Sequence, residues 1–102
     1  MFKVKANPTF PATVTIVGQG REQKLDLVFR HKKRAEYLDM LERMKDGALT
    51  TVEAIQEIVE SWDADIGLDA AGITELMEEQ PGADWAIVQA YGEALAVARK
   101  GN

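Results

Sequence analysis

The sequence predicts an α+β fold: an N-terminal antiparallel β-hairpin, with a possible third short strand, packed on about four α-helices. Three observations carry that reading. Two runs of alternating apolar and polar residues flank a glycine-bearing turn in the first thirty residues. From Lys33 onward the apolar spacing changes from two to three or four. Finally, Gln80-Pro81-Gly82-Ala83 separates two helical patterns with almost no linker. Proline cannot continue the first of these helices, and glycine takes up the sharp turn that follows.

The elements follow in chain order. Phe2 and Val4 alternate with Lys3 and Lys5, which suggests the short extra strand. Asn7-Pro8 and Pro11 are expected to interrupt pairing, because proline is confined to edges and turns. Ala12 to Val17 is rich in β-branched residues, with Val14 and Ile16 on one face. Gly18 to Glu22 reads as a turn, and Gln23 to Arg30 alternates again with Leu25, Leu27 and Phe29 on one face. A lone hairpin is marginal in water. Its greasy side should therefore lie under the first helix, through Leu38 and Leu41.

That helix spans Lys33 to Asp46, with Leu38, Leu41 and Met44 in a stripe flanked by Tyr37 and Met40, and Gly47 as its stop. Thr50-Thr-Val-Glu53 is a capping box that opens a second helix. Its stripe is Val52, Ile55, Ile58, Val59 and Trp62. Asp69 is placed to cap a third helix, with Ile73, Leu76 and Met77 inside. The fourth runs from about Asp84 to Arg99, with Asp84 at its start and Arg99-Lys100 at its end suiting the helix dipole. One domain over residues 1–102 is expected, hairpin in 1–31 and helices in 32–102.

Composition narrows the function. Hydrophobic residues make up 46% and charged residues 28%, as in an ordinary folded soluble protein. There is no cysteine, hence no disulfide, which fits a reducing compartment. Neither a secretory signal nor a membrane span is expected, so the cytoplasm is the expected location. The net charge of −5 is unevenly placed. Residues 1–50 carry ten Lys/Arg against six Asp/Glu, and residues 51–102 carry two against eleven. Two faces of opposite sign would favour self-association or a charged partner.

No credible catalytic set emerges. His31 is the only histidine, and with no cysteine present it has no thiol to activate. Ser61 is the only serine and falls inside a predicted helix. Glu78-Glu79 are adjacent on a helix and point apart. Gly18-Gln-Gly20 lacks the rest of a nucleotide fingerprint. Asp63-Ala-Asp65-Ile-Gly67-Leu-Asp69 invites a calcium-loop reading. A loop starting at Asp63 needs glycine sixth and glutamate twelfth, where this chain has Leu68 and Thr74. No metal, cofactor or enzymatic activity is expected.

Two surfaces remain as candidates for binding. Arg30-His-Lys-Lys-Arg34 is basic, with Arg30, Lys32, Lys33 and Arg34 as contacts for an acidic partner. A small regulatory or nucleic-acid-associated protein using this patch is the alternative reading, disfavoured because no aromatic residues are interleaved and the whole chain is acidic. Pairing with the acidic second half is the better expectation. The other candidate is the small-residue fourth helix, where Ala83, Ala86, Ala90, Gly92, Ala94 and Ala98 permit close approach. Trp85, Ile87, Tyr91 and Leu95 would be its anchors, and Trp62, Ile66 and Leu68 the rim of a groove for an amphipathic helix. Met40, Met44 and Met77 would add adaptable apolar surface.

The order of these signals resembles a known family. The two-stranded pattern leads into Phe29-Arg-His-Lys-Lys-Arg34 and a helix, and Trp62 closes the second helix. Pro81-Gly82-Ala83, Ile87, Ala90-Tyr91, Ala94-Leu95 and Ala98-Arg99 follow. Over essentially the whole chain this is similar to the small tail assembly chaperones of long-tailed bacteriophages and prophages. The resemblance implies a non-enzymatic role in the host cytoplasm. Such chaperones bind the tape-measure protein, a long and largely helical chain, and keep it soluble until tail-tube subunits polymerise around it. It also implies a short form and a frameshift-extended form, the extension recruiting the tail-tube protein.

Overall fold

A computed structural model of the protein describes residues 1–97. The first two strands, β1 (Thr9–Gly18) and β2 (Arg21–Arg30), pair antiparallel from Thr9↔Arg30 to Gly18↔Arg21. Gln19 and Gly20 make the two-residue turn with φ of 54° and 71°. Both values are positive, as a hairpin turn matching the strand twist requires, and glycine supplies the second at no steric cost. Pairing runs through Pro11, which faces Val28, instead of stopping there. β1 is an edge strand, so a missing N–H breaks no ladder there.

Helix α1 (Arg34–Lys45) follows, then α2 (Thr51–Ile58). Thr50 caps α2 as its capping box predicts: its hydroxyl accepts from the Glu53 N–H at 3.1 Å, and Glu53 accepts the Thr50 N–H at 2.9 Å. The helix then ends four residues earlier than its stripe suggests. Val59 turns to φ −104°, ψ 119°, and Val59–Trp62 becomes strand β3 with no connecting loop. β3 adds to β2 through Leu27↔Trp62, Val28↔Ser61 and Phe29↔Val59, with a bulge at Val28/Phe29. Val59 and Trp62 fit helical spacing, but the open edge of β2 supplies the hydrogen bonds the helix gives up. A β-branched valine sits well on a pleated surface. Ser61 is therefore on a strand. The third strand lies here and not at Phe2–Lys5, where Phe2 and Val4 are exposed and unpaired.

Helix α3 (Ala70–Glu79) starts at Asp69, whose carboxylate accepts the Gly72 N–H at 2.8 Å. The Pro81-Gly82 turn leads into α4 (Ala83–Leu95), with Gly82 at φ 93°. The last part of the expected fourth helix, Ala98, Arg99 and Lys100, lies outside the described residues.

The sheet order is β1-β2-β3, with helices over one face: α4 packs on β1 and α2 on β2. Val14, Leu25, Leu27 and Phe29 are buried beneath them, and Ile16 partly so. Leu38 and Leu41 do not cover this face. They are 46% and 37% exposed, and Met40 on the neighbouring arc of α1 is the buried residue, with Tyr37 and Met44 beside it. The sequence offers both arcs at helical spacing. The ring of Tyr37 decides between them by joining Phe10, Phe29 and Tyr91, its centroid 6.0 Å from that of Tyr91. Gly92 leaves room for the Tyr37 hydroxyl, which a Cβ there would meet.

Candidate functional site

The basic junction is folded into the protein. Arg30 Nε donates to Glu60 at 2.7 Å and its Nη1 to the Gln56 carbonyl at 2.9 Å. Lys32 Nζ meets Glu57 at 2.7 Å, and Arg43 Nη2 meets the same carboxylate oxygen at 2.7 Å. Two cations, one just ahead of α1 and one near its end, hold one glutamate on α2. Hydrogen bonds from Arg43, and more weakly from Lys32, keep the Glu57 carboxyl below its ordinary range despite partial burial. Two of the four cations are thus paired with the acidic second half, within the chain. Lys33 and Arg34 stay exposed at the start of α1, where the Lys33 N–H donates to Glu36 at 2.7 Å.

The aromatic candidates separate. Tyr91 is fully buried, and its hydroxyl donates to the Arg30 carbonyl at 2.7 Å, tying α4 to the end of β2. Burial, reinforced by the nearby Glu36 and Glu57 charges, pushes its phenol above the usual value. Trp85, on the same helix, is 60% exposed. Trp62 is half-buried on the helix-covered face of the sheet, and its indole N–H donates to the Ile66 carbonyl at 2.9 Å, which folds the 63–69 loop. Leu68 packs partly against the core.

The carboxylates of that loop have structural work: Asp63 accepts the Asp26 N–H at 2.9 Å, and Asp69 caps α3. Beside the loop lies a cleft of about 800 Å³ between the hairpin tip and α3. Its apolar floor is Ile16, Leu25, Ile66 and Leu76. Asp65, Glu75 and Glu79 line the loop and α3 side, and Arg21 and Lys24 the hairpin side. Trp62 and Leu68 are not part of it, but Trp62 sets the loop that carries Ile66.

Leu38 and Leu41 were missed as surface residues by sequence reasoning. They lie one helical turn apart on α1, so both show on one side of it. With Trp85 they are the large apolar side chains that the helices leave open. Met40, in contrast, is sealed in the core, and Met44 and Met77 are half-buried. The signal was an apolar arc on α1 wider than one partner can cover. Every buried side-chain polar atom among the described residues has a hydrogen-bond partner. No helix among them is long and apolar enough to cross a membrane.

A family model described as phage tail assembly chaperone matches residues 1–102. No curated protein and no solved structure matches the chain.

Proposed function

The chain belongs to the phage tail assembly chaperone family, and from that membership we propose a non-enzymatic chaperone whose client is the tape-measure protein. Partners among phage tail proteins go with the family. The client's helices carry apolar stripes that aggregate unless covered. The observation that carries the proposal is the pairing of a closed core with open leucines. Leu38, Leu41 and Trp85 stay exposed on helices while Val14, Leu25, Leu27 and Phe29 of the sheet are buried. An amphipathic client helix fits such contacts by burying its own apolar side chains on them. In this reading the contact is reversible, so polymerising tail-tube subunits can displace it in the host cytoplasm. The alternative reading, nucleic acid at the basic cluster, loses Arg30 and Lys32 to Glu60 and Glu57.

Co-expression with a cognate tape-measure fragment tests this. The fragment should stay in the soluble fraction with the native chain and pellet with the double variant Leu38→Asp, Leu41→Asp. Both leucines are exposed, so the variant should fold normally, which circular dichroism checks. A fragment that pellets equally with and without the native chain removes the proposal.

A further inference from the structure

Leu38 and Leu41 do not stand alone on α1. Arg34, Leu38, Leu41 and Lys45 follow one another at steps of four, three and four residues, which sets them in one line along the helix. Two leucines are thus bracketed by two cations. All four side chains are exposed, and neither Arg34 nor Lys45 has an ion-pair partner among the described residues. The remaining cation of the helix, Arg43, is occupied by Asp39 and Glu57. Of the carboxylates, Asp39 is held by Arg43 and Glu36 accepts the Lys33 N–H. Glu42 stands on the solvent side of the line, while Tyr37 and Met44 on its other side pack against the core. The line is therefore apolar at its centre and positive at both ends, in a chain whose overall charge is −5. Eleven residues separate its ends, which is about 17 Å of helix.

A second helix laid along this line would meet apolar contacts in the middle and positive charge at each end. Its complementary pattern is a short apolar stripe bracketed by carboxylates about three turns apart. A helix bracketed by lysine or arginine would set like charges opposite one another. We propose that α1 takes an amphipathic client helix whose apolar stripe is bracketed by Asp or Glu, and that Arg34 and Lys45 select it by charge. The inference rests on the reading that a client helix docks on Leu38 and Leu41, and it adds which helices are accepted. The leucines supply the buried area, and the cations make the choice. More positive charge stands at the start of α1. Lys33 is exposed next to Arg34, and the Pro8 carbonyl accepts the His31 N–H at 2.8 Å, which ties the exposed segment carrying Lys3 and Lys5 close by.

Two synthetic helical peptides test it. Both carry the same leucine stripe, bracketed by glutamate in one and by lysine in the other. Each is titrated into the isotope-labelled full chain, and NMR follows the backbone amides of α1. The Glu peptide should shift the amides around Leu38 and Leu41 and bind about tenfold or more tighter than the Lys peptide, with the gap narrowing in high salt. Arg34→Glu with Lys45→Glu should invert the preference, and its binding of the Lys peptide also shows that the variant is folded. The proposal is overturned by equal binding of the two peptides, by binding of neither, or by a preference that survives the reversal. It is overturned equally if anionic phospholipid vesicles shift the same amides more than the Glu peptide does, or if dilution of the free protein shifts them, which would seat a second copy there. Failure here is distinct from failure of the client reading. A tape-measure fragment kept soluble by the native chain, with no charge preference among the peptides, sinks the selection by Arg34 and Lys45 alone.

Discussion

Replacing Tyr91 by phenylalanine removes a single hydroxyl from the centre of the molecule and leaves its ring in place. That ring lies 5.0 Å from Phe29 in edge-to-face contact and 6.0 Å from Tyr37, so the aromatic packing should survive. What is lost is the 2.7 Å hydrogen bond to the Arg30 carbonyl. One intramolecular hydrogen bond is worth about 0.5–1.5 kcal/mol net, rising toward about 3 kcal/mol when the abandoned partner stays dry. The bond is only partly buried, so the loss should be about 1 kcal/mol. For a domain of this size that lowers the melting temperature by about 4–8 °C. Tyr91→Ala, which also empties the aromatic cluster, should cost about 3–5 kcal/mol. Urea unfolding followed by the fluorescence of half-buried Trp62 reads both. Tyr37→Phe is the control, because its hydroxyl makes no hydrogen bond among the described residues and should be dispensable. If Tyr91→Phe unfolds at the native midpoint, or Tyr37→Phe loses as much, the hydroxyl does not anchor α4 to β2. The phenol also titrates. Its pKa is raised in the fold, so above about pH 10 the folded state holds more protons than the unfolded one and stability falls with rising pH. That decline should be shallower in Tyr91→Phe.

Glu57 should govern the acid side. Its carboxyl is held down by Arg43 first and Lys32 next, so the unfolded chain binds more protons just below about pH 4.3. The stabilisation is present above that point and lost as the pH falls through the lowered value. Glu57→Gln should lower the urea midpoint at neutral pH and flatten the acid limb of a stability–pH curve; an unchanged limb would assign that limb to other carboxylates. Gly72→Ala should cost about 1–3 kcal/mol, since its new Cβ meets the backbone carbonyl of Gly67 and the loop must shift. A calorimetric melting point equal to the native one would show that the loop yields freely. Thr50→Ala removes the α2 cap and should cost about 1 kcal/mol, read by urea titration, with Thr50→Ser close to native.

Much of the fold was legible because local chemistry agreed with the final structure. The hairpin, the Thr50 and Asp69 caps and the Pro81-Gly82 turn each involve residues close in sequence, and each forms as the residues dictate. What was hidden depends on partners far along the chain. Val59 and Trp62 suit helix and strand alike, and only the free edge of β2 makes them a strand. Leu38 and Tyr37 are neighbours on α1, and only the aromatic cluster contributed by β1, β2 and α4 turns the second inward. Ile66 and Arg30 show the same split at the candidate surfaces. Ile66 was expected at the rim of a groove beside the fourth helix but lines the cleft between the hairpin tip and α3, and the binding of Arg30 to Glu60 and the Gln56 carbonyl needed the register of β3.

The Tyr91–Arg30 bond has a consequence for the protein's birth on the ribosome. Its two ends are 61 residues apart in sequence. At about 5–20 residues per second, the end of β2 waits about 3–12 s for the tyrosine that fastens it. β3 too arrives only after two helices have been made. The emerging hairpin is thus translated with its greasy side unsheltered, and a nascent chain arrested before α4 should be captured by host folding factors.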